Sequence, residues 1–331
     1  MTPVDEMWWK RVPSAERMIE NTCNELLDGK SIQVFPDMLW KDTFLRLVLG
    51  AVQNNDAGIA FFEFDGSSMD AGRNLIDCVA ELTGFGFNFD GKLKTFVGKL
   101  QNNSGYVFQM HGLSPRHLKD AHQLIRDIAR QNYRIALILE DDTQNQVKAV
   151  HQKKFSANRM DVRYFAWTLL LEQGDIPLLE YAAILCEELS GGDPERCAHL
   201  CKHIHEVLRG STNLCDWLTE AEIQWRIHAA QLRGIQPVIE EQRLKLIDGL
   251  GVRVNRILPF DDEYHNTFTK PHEVELRHLV FYKAQLTLST VEQQLLDQLY
   301  EARNDLSHLR VLSEEQITGI AKLAGKWSTV R

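Results

Sequence analysis

The sequence has 331 residues, of which 44% are apolar and 25% are charged, and its net charge is −9 at neutral pH. These proportions are typical of a soluble globular protein with room for two or three domains. The negative charge argues against a general electrostatic attraction to nucleic acid, although it leaves room for a local basic site. The six cysteines are thinly spread, which is typical of a reduced cytosolic protein and not of a disulfide scaffold.

Neither a targeting signal nor a membrane span is expected. The first thirty residues contain no apolar segment of the signal-peptide type, and Asp5 and Glu6 stand where such a signal would be basic. The longest apolar runs, such as residues 165–171, are far too short to cross a bilayer. We therefore expect a cytoplasmic protein that makes no contact with a membrane.

The chain opens with the pair Trp8-Trp9, followed by a helix that is predicted to end near Leu27, with Ser14 as its N-cap. Paired tryptophans near a terminus can anchor a partner protein. Packing against the chain's own domain is the favoured interpretation, because such large side chains contribute most when they are buried.

Residues 31–142 alternate between short apolar runs and segments with helical periodicity. Runs of β-branched and aromatic residues indicate strands that are buried on both faces, as in a parallel sheet covered by helices. This half of the chain is therefore predicted to be an α/β domain. Strands are expected at residues 31–35, 57–64, 105–110 and 134–139, and helices at residues 37–53, 69–82 and 115–131.

The loop after the first strand, residues 35–42, lies where a phosphate-binding loop would be. Such a loop needs glycines that bring backbone N–H groups onto a phosphate, a lysine, and a hydroxyl side chain for Mg²⁺. Lys41 aligns with the lysine, but Phe35 and Trp40 stand at the glycine positions and Asp42 replaces the hydroxyl. Trp40 is expected to be unable to make the tight turn that glycine permits, and Asp42 would repel a phosphate. Nucleotide hydrolysis is therefore not expected, and Lys41 is the one candidate nucleotide-binding residue.

A metal-binding carboxylate is also missing from the place where it would be expected. Residues 106–110 are followed by His111 and Gly112, whereas residues 135–139 are followed by Glu140-Asp141-Asp142. Acids at the end of a strand are common in solvated loops, and this interpretation is favoured. The sequence therefore predicts neither a metal nor a cofactor.

This order of elements resembles that of a known family over about residues 15–215. A strand, a degenerate loop, further alternating strands and helices, and an all-helical remainder are similar to the inactive relatives of the STAND branch of AAA-type NTPases. The resemblance rests on the pattern, because the specific motifs are absent. Members of that group occur in bacterial conflict and anti-phage systems, where they act as scaffolds or sensors beside effector proteins. The resemblance thus implies a noncatalytic protein that binds another protein.

Beyond residue 160 the strand signals stop, and the rest of the chain is predicted to be helical apart from a loop at residues 258–272. A break is expected near Gly234 to Pro237, because proline interrupts a helix. Helices are predicted at residues 161–172, 177–189, 216–249, 273–286, 290–309 and 313–324. The sequence divides into an α/β domain at residues 1–155, a helical domain at 156–215 and a helical C-terminal domain at 216–331.

One helical segment has the spacing of a metal site. Cys197, Cys201 and His205 recur every four residues and would share one face of a helix, as zinc ligands do. The same face also carries the apolar residues Leu200, Ile204 and Leu208. A buried apolar stripe, with the cysteines as small hydrophobic residues, is the favoured interpretation.

The sharpest local motif lies in the helix predicted at residues 290–309. Arg303-Asn304 followed by His308 resembles the Arg-polar-x-x-x-His pattern of HEPN-type helical ribonucleases, in which each of two protomers carries the arginine and the histidine. An arginine can hold a phosphate with two hydrogen bonds, and a histidine can exchange protons near neutral pH. Asn304 and His308 are expected on the polar face, with Arg303 at the edge of an apolar seam. That seam consists of Leu295, Leu299, Ala302, Leu306 and Leu309.

Three functions follow from these residues, and the first is preferred. The first is a noncatalytic signalling or scaffold protein of an anti-phage or stress-response system, in which Arg303 pairs with an acid such as Glu301 or Glu275. The second is a HEPN-type ribonuclease that acts on RNA as a homodimer, with Arg303 and His308 as catalytic residues and Asn304 in support. The third is an ATPase that uses Lys41 in an unorthodox loop.

Overall fold

A computed structural model describes residues 2–69, 73–84, 91–99, 105–131, 134–142, 150–174, 176 and 178–329. The chain forms two compact units, Thr2–Ser156 and Ala157–Arg331. The first unit contains a parallel sheet with helices, and the second is mostly helical, which confirms the predicted fold class. The predicted division of the helical half at residue 215 stays a prediction.

The first unit is built on one sheet of five parallel strands. These are β1 (Ser31–Val34), β2 (Ile59–Asp65), β3 (Gly105–His111), β4 (Ile135–Glu140) and β5 (Val150–Lys153). Their order in space is β2-β3-β4-β1-β5. The sequence predicts the first four strands. It misses β5, whose sequence VHQK is mostly polar and whose strand form depends on its pairing with β1.

Helices cover both faces of the sheet. They are α1 (Val4–Arg11), α2 (Pro13–Leu27), α3 (Lys41–Asn55), α4 (Leu75–Leu82), α5 (Leu93–Lys99) and α6 (Pro115–Gln131). Because side chains alternate along a strand, Tyr106, Phe108 and Met110 of β3 form the main core with α4, α5 and α6. Gln109 of the same strand faces α3 on the opposite side.

The N-terminal segment is part of the first unit's core. Trp8 and Trp9 are fully buried against aromatic side chains of the same unit, namely Trp40, Phe44 and Phe155. The favoured interpretation of the tryptophan pair is thereby confirmed. The predicted N-cap Ser14 is wrong, because α2 begins at Pro13 with Val12 as its cap residue. Proline is favoured at the first helical position, where its missing N–H costs nothing.

The second unit contains eleven α-helices among its described residues. They are α7 (Arg159–Gln173), α8 (Leu179–Ser190), α9 (Pro194–Lys202), α10 (Ile204–Leu208), α11 (Glu220–Gly234), α12 (Gln236–Leu250), α13 (Val252–Asn255), α14 (Leu276–Phe281), α15 (Lys283–Leu286), α16 (Thr290–Ser307) and α17 (Glu314–Thr329). The expected break between residues 216 and 249 is confirmed by the end of α11 at Gly234. None of the helices among the described residues is long and apolar enough to cross a membrane.

The predicted loop at residues 258–272 contains a short antiparallel hairpin. Its strands are β6 (Phe260–Asp261) and β7 (Thr267–Phe268), with Phe260 paired to Phe268. Two residues per strand are too few for a period-of-two signal, so the sequence does not reveal this hairpin.

A buried network of charged side chains joins three helices of the second unit. Helix α8 is buried at every residue from Tyr181 to Ser190, and this stretch includes the carboxylates of Glu187 and Glu188. Arg159, at the start of α7, lies 2.5 Å from Glu187 and 2.6 Å from Glu188. Arg233, near the end of α11, lies 2.8 Å from Glu187 and also pairs with Glu188. Both buried carboxylates are therefore matched by two guanidinium groups.

We expect Arg233→Ala to lower the free energy of unfolding of the second unit by about 2–3 kcal/mol, because it leaves Glu187 and Glu188 buried with a single guanidinium. Urea unfolding followed by circular dichroism measures this difference. The matched control is Arg163→Ala, which removes an ion pair to the exposed side chain of Glu180 and should cost less than about 1 kcal/mol. Equal losses in the two variants would contradict a special role for the buried network.

Candidate functional site

Strands β1 and β4 are neighbours in the sheet, and the chain leaves their carboxyl ends towards opposite edges of the sheet. From β1 the chain leads across β4 and β3 to β2, whereas from β4 it leads across β1 to β5. In open α/β sheets, ligands bind in the crevice outside the carboxyl ends of two adjacent strands whose following connections run in opposite directions. The loop at residues 35–40 and the start of α3 lie at this crevice.

The loop between β1 and α3 differs from its prediction in two respects. The predicted start of the helix at residue 37 is wrong, because the chain turns at residues 36–40 before α3 begins at Lys41. Trp40 has φ 46° and ψ 47°, so it does adopt a left-handed conformation that the sequence argument reserved for glycine. Packing of the Trp40 ring edge-on to buried Trp8, with ring centres 6.1 Å apart, compensates for the strain of this conformation.

The backbone of this loop is hydrogen-bonded to itself. The N–H of Met38 donates to the carbonyl oxygen of Phe35 over 3.1 Å, and the N–H of Lys41 donates to the carbonyl oxygen of Met38 over 3.2 Å. A phosphate-binding loop instead directs its N–H groups at the ligand. Two donors that such a loop would offer are therefore already used.

The Lys41 side chain is held by an acid that the sequence analysis interpreted as solvated. Its ammonium group forms an ion pair with Glu140, at the end of β4, and lies 3.4 Å from the Asp42 carboxylate. The Glu140 side chain is only 8% exposed and accepts a second hydrogen bond from Gln109 over 2.8 Å. Burial lowers the pKa of Lys41, but the hydrogen bond and charge of Glu140 outweigh that effect and raise it.

The predicted solvated loop at the end of β4 is thus wrong for its first two acids. Glu140 is paired with Lys41, and Asp141 is buried, with its N–H bonded to Val34 at the end of β1. Only Asp142 is exposed. The sequence signal for this ion pair is an acid directly after a buried strand. Using that signal requires knowing that this strand, β4, lies beside β1.

An open groove of about 650 Å³ lies beside this ion pair, between α3 and strands β2 and β3. Its polar side chains include Asp42, Arg46, Glu63 and Gln109, and Leu45 and Phe61 provide apolar contacts. Two carboxylates and one guanidinium do not favour an anion. The crevice and the groove therefore lack the excess of positive charge that a nucleotide would require.

We expect Lys41→Met to lower the free energy of unfolding by about 2 kcal/mol, because Glu140 would remain buried without its cation. Urea unfolding provides the measurement. The control is Lys30→Met, since Lys30 pairs with the exposed side chain of Asp28 over 3.0 Å and should contribute less than about 1 kcal/mol. A loss that is no larger in Lys41→Met than in Lys30→Met would argue against the buried pair.

The Arg303, Asn304 and His308 motif lies at the end of α16. The helix stops at Ser307, and the N–H of His308 bonds to the carbonyl oxygen of Asn304 over 3.0 Å. Arg303 and Asn304 are half-buried, whereas His308 is exposed. Leu295, Leu299, Ala302 and Leu306 form the buried seam as predicted. Leu309 does not belong to it, since it lies beyond the helix at φ 59° and is 78% exposed.

Arg303 lines a cavity of about 340 Å³ between α12, α14 and α16. Its guanidinium forms no hydrogen bond or ion pair with the described residues, so neither of the predicted acid partners holds it. Glu301 is exposed, and Glu275 forms an ion pair with Arg277 over 3.1 Å. The charge of Arg303 instead acts on Glu240, whose pKa is lowered mainly by a hydrogen bond from Arg243 and to a lesser degree by Arg303.

Two polar side chains of α11 fix the position of this motif. His228 Nε2 lies 3.0 Å from the carbonyl oxygen of Leu306. The amide of Gln231 donates to the carbonyl oxygen of Leu312 over 2.9 Å and accepts from its N–H over 2.8 Å. The segment that contains His308 is therefore anchored on both sides by buried hydrogen bonds.

The cysteines and histidine with zinc-like spacing are not brought together. Cys197 and Cys201 are buried, with their sulfur atoms near the carbonyl oxygens of Val162 and Ala166. The helix breaks at His203, so His205 belongs to the separate helix α10 and is exposed. Over the described part of the chain, no three His, Cys, Asp or Glu residues are placed to hold a metal ion.

Comparison of the sequence with known proteins finds no family model that matches it and no similar curated protein. The resemblances to STAND-type and HEPN-type proteins therefore stay predictions that rest on the residues described above.

Proposed function

We propose that the protein is a noncatalytic scaffold that binds other proteins, and that its α/β unit does not hydrolyse nucleotides. The observation that supports this proposal is the ion pair between Lys41 and Glu140 at the switch point of the sheet. Lys41 is the only residue of the loop that could contact a phosphate in the manner of a phosphate-binding loop. Its positive charge is already paired with the Glu140 carboxylate of the same unit.

Electrostatics oppose a bound phosphate at this position. A phosphate that reached Lys41 would also approach Glu140 and Asp42, since both lie within 4 Å of the Lys41 ammonium group. Two like charges about 4 Å apart repel by about 4 kcal/mol at an effective dielectric constant of about 20. Displacing Glu140 would leave a buried carboxylate without a cation, which also costs several kcal/mol.

Exposed apolar side chains in the helical unit support protein binding. Met160, Tyr164, Trp167 and Leu171 recur on α7 at intervals of four, three and four residues, which places them on one helical face. Met160, Tyr164 and Leu171 are exposed and Trp167 is half-buried. A contiguous apolar face on a protein surface is typical of a protein contact. The proposed cytoplasmic setting, an anti-phage or stress-response system, rests on the STAND resemblance alone.

We expect Mg-ATP and Mg-ADP at millimolar concentration to leave the melting temperature unchanged in both the wild type and Lys41→Ala. A ligand at 100 times its Kd would stabilise the protein by about 2.7 kcal/mol, which corresponds to a rise of several degrees. Differential scanning fluorimetry with and without nucleotide tests this for each variant against its own baseline. A rise in the wild type that is lost in Lys41→Ala would support the nucleotide-binding alternative instead.

The ribonuclease alternative has one observation in its favour. The Arg303 guanidinium has no hydrogen bond within the described residues, and the same holds for the exposed imidazole of His308. Two unoccupied groups of this kind are what the HEPN resemblance implies for a site shared by two protomers. Three glutamates and three arginines line the cavity at Arg303, so it has no excess of positive charge, and the net charge of −9 further opposes RNA binding.

The scaffold proposal predicts no cleavage of single-stranded RNA by the wild type, by Arg303→Ala or by His308→Ala. His308→Ala should keep the wild-type melting temperature, because the side chain is exposed. His205→Ala, at another exposed histidine, is the matched control. RNA cleavage by the wild type and by His205→Ala that disappears in His308→Ala would establish the ribonuclease and refute the scaffold.

A further inference from the structure

A cavity of about 270 Å³ lies between the β6–β7 hairpin and helix α14 in the second unit. Its walls include the aromatic rings of Phe260, Phe281 and Tyr282. The Phe260 and Tyr282 ring centres are 5.0 Å apart, and those of Tyr282 and Phe281 are 4.8 Å apart. Phe281 is 78% exposed, which is unusual for an aromatic side chain on a structured helix.

The rim of this cavity is acidic. Asp261, Asp262 and Glu263 follow one another along the hairpin, and Arg277 is the only lysine or arginine that lines the cavity. Arg277 is bonded to Asp262 over 3.1 Å and lies 3.8 Å from Glu263. Three carboxylates and one guanidinium leave two net negative charges beside the exposed ring of Phe281.

A buried hydrogen-bond donor also lines the cavity. His278 is only 6% exposed, and its Nδ1 accepts a hydrogen bond from the N–H of Glu275 over 3.2 Å. Burial lowers the pKa of His278, and because Nδ1 accepts a hydrogen bond, the neutral ring carries its proton on Nε2. That N–H has no hydrogen-bond partner among the described residues. The Nε2 atom has almost no accessible surface, and the rings of Phe260 and Phe268 pack edge-on against the imidazole with ring centres 5.0 and 4.4 Å away. His278 therefore belongs to the aromatic packing that supports the cavity.

We propose that this cavity binds a lysine or arginine side chain of a partner protein. The aliphatic part of such a side chain packs against Phe260 and Phe281, and its cation lies over the ring faces beside the carboxylates. The rings and the carboxylates of the cavity thus each have a counterpart in one basic side chain. The inference rests on the proposed scaffold function only for the statement that the cation comes from a protein.

Other occupants fit the cavity less well. An acidic peptide would be repelled by the two net negative charges. A nucleobase could stack on Phe281, but its phosphates would approach the same carboxylates. A purely apolar side chain would leave the acidic rim unused. The charge on the rim therefore selects a cation.

The direct test is ligand-observed NMR with the full-length protein and three short peptides, acetyl-Gly-Lys-Gly-amide and its arginine and norleucine analogues. Norleucine has nearly the shape of the lysine stem but no charge. We expect the lysine and arginine peptides to bind with Kd values in the millimolar range and the norleucine peptide to bind about tenfold more weakly. Equal binding of norleucine and lysine would overturn the proposal, and so would the absence of binding by both basic peptides.

Substitutions locate the binding to this cavity. Phe281→Ala and Glu263→Gln, both at exposed positions that tolerate substitution, should each weaken binding of the lysine peptide about fivefold or more. The matched controls are Leu309→Ala, which is equally exposed at 78%, and Glu301→Gln, at an exposed glutamate outside the cavity. Both controls should keep the wild-type Kd. Unchanged affinity in Phe281→Ala and Glu263→Gln would refute the cavity as the site.

Two further probes separate this inference from other functions. Adenosine monophosphate or an acetyl-Gly-Glu-Gly-amide peptide that binds more tightly than the lysine peptide would refute the cationic side chain as occupant. Failure of the lysine peptide leaves the nucleotide and RNA measurements unaffected, because those concern Lys41 and His308. The scaffold proposal and the cavity proposal can therefore fail separately.

Discussion

The pairing of β1 with β4 is the constraint on which the first unit depends. Their register aligns Val34 with Glu140, so the last residues of the two strands lie side by side. Lys41 therefore meets Glu140 across the crevice in which α/β proteins of this kind bind ligands. The resulting ion pair accounts for the buried carboxylate and for the raised pKa of Lys41. In this fold, the lysine at the position of a phosphate-binding lysine instead pairs with a carboxylate at the carboxyl end of the sheet.

The second unit is organised by buried charge in a different way. Helix α8 is buried among its neighbours, and it carries Glu187 and Glu188. Arg159 of α7 and Arg233 of α11 form ion pairs with these two carboxylates. Close approach of α11 is possible because Gly234 packs against Tyr181, where a Cβ atom would lie 3.0 Å from the tyrosine Cα. The Arg303 guanidinium and the proposed binding cavity beside Phe281 lie outside this network.

Local patterns predict much of the fold because they depend on residues that are neighbours in sequence. The apolar runs of the first four strands identify the sheet. Ser313 followed three residues later by Gln316 has the spacing of a capping box, and the two residues form one with hydrogen bonds of 2.9 and 3.2 Å. Short polar strands carry no such pattern, so β5 and the β6–β7 hairpin escape prediction. The left-handed conformation of Trp40 was not predicted for another reason. The packing of its ring against Trp8 outweighs the local preference of its backbone.

The sequence by itself determined the α/β and helical halves, the absence of phosphate-binding glycines, and the position of the Arg303, Asn304 and His308 motif. Only the tertiary structure decided which groups meet. It paired Lys41 with Glu140, 99 residues away, and separated His205 from Cys197 and Cys201 by a helix break. It also placed His278 of α14 beside the acids of the hairpin. These contacts arise from strand order and helix packing, which join residues distant in sequence, and no local pattern of residues encodes them.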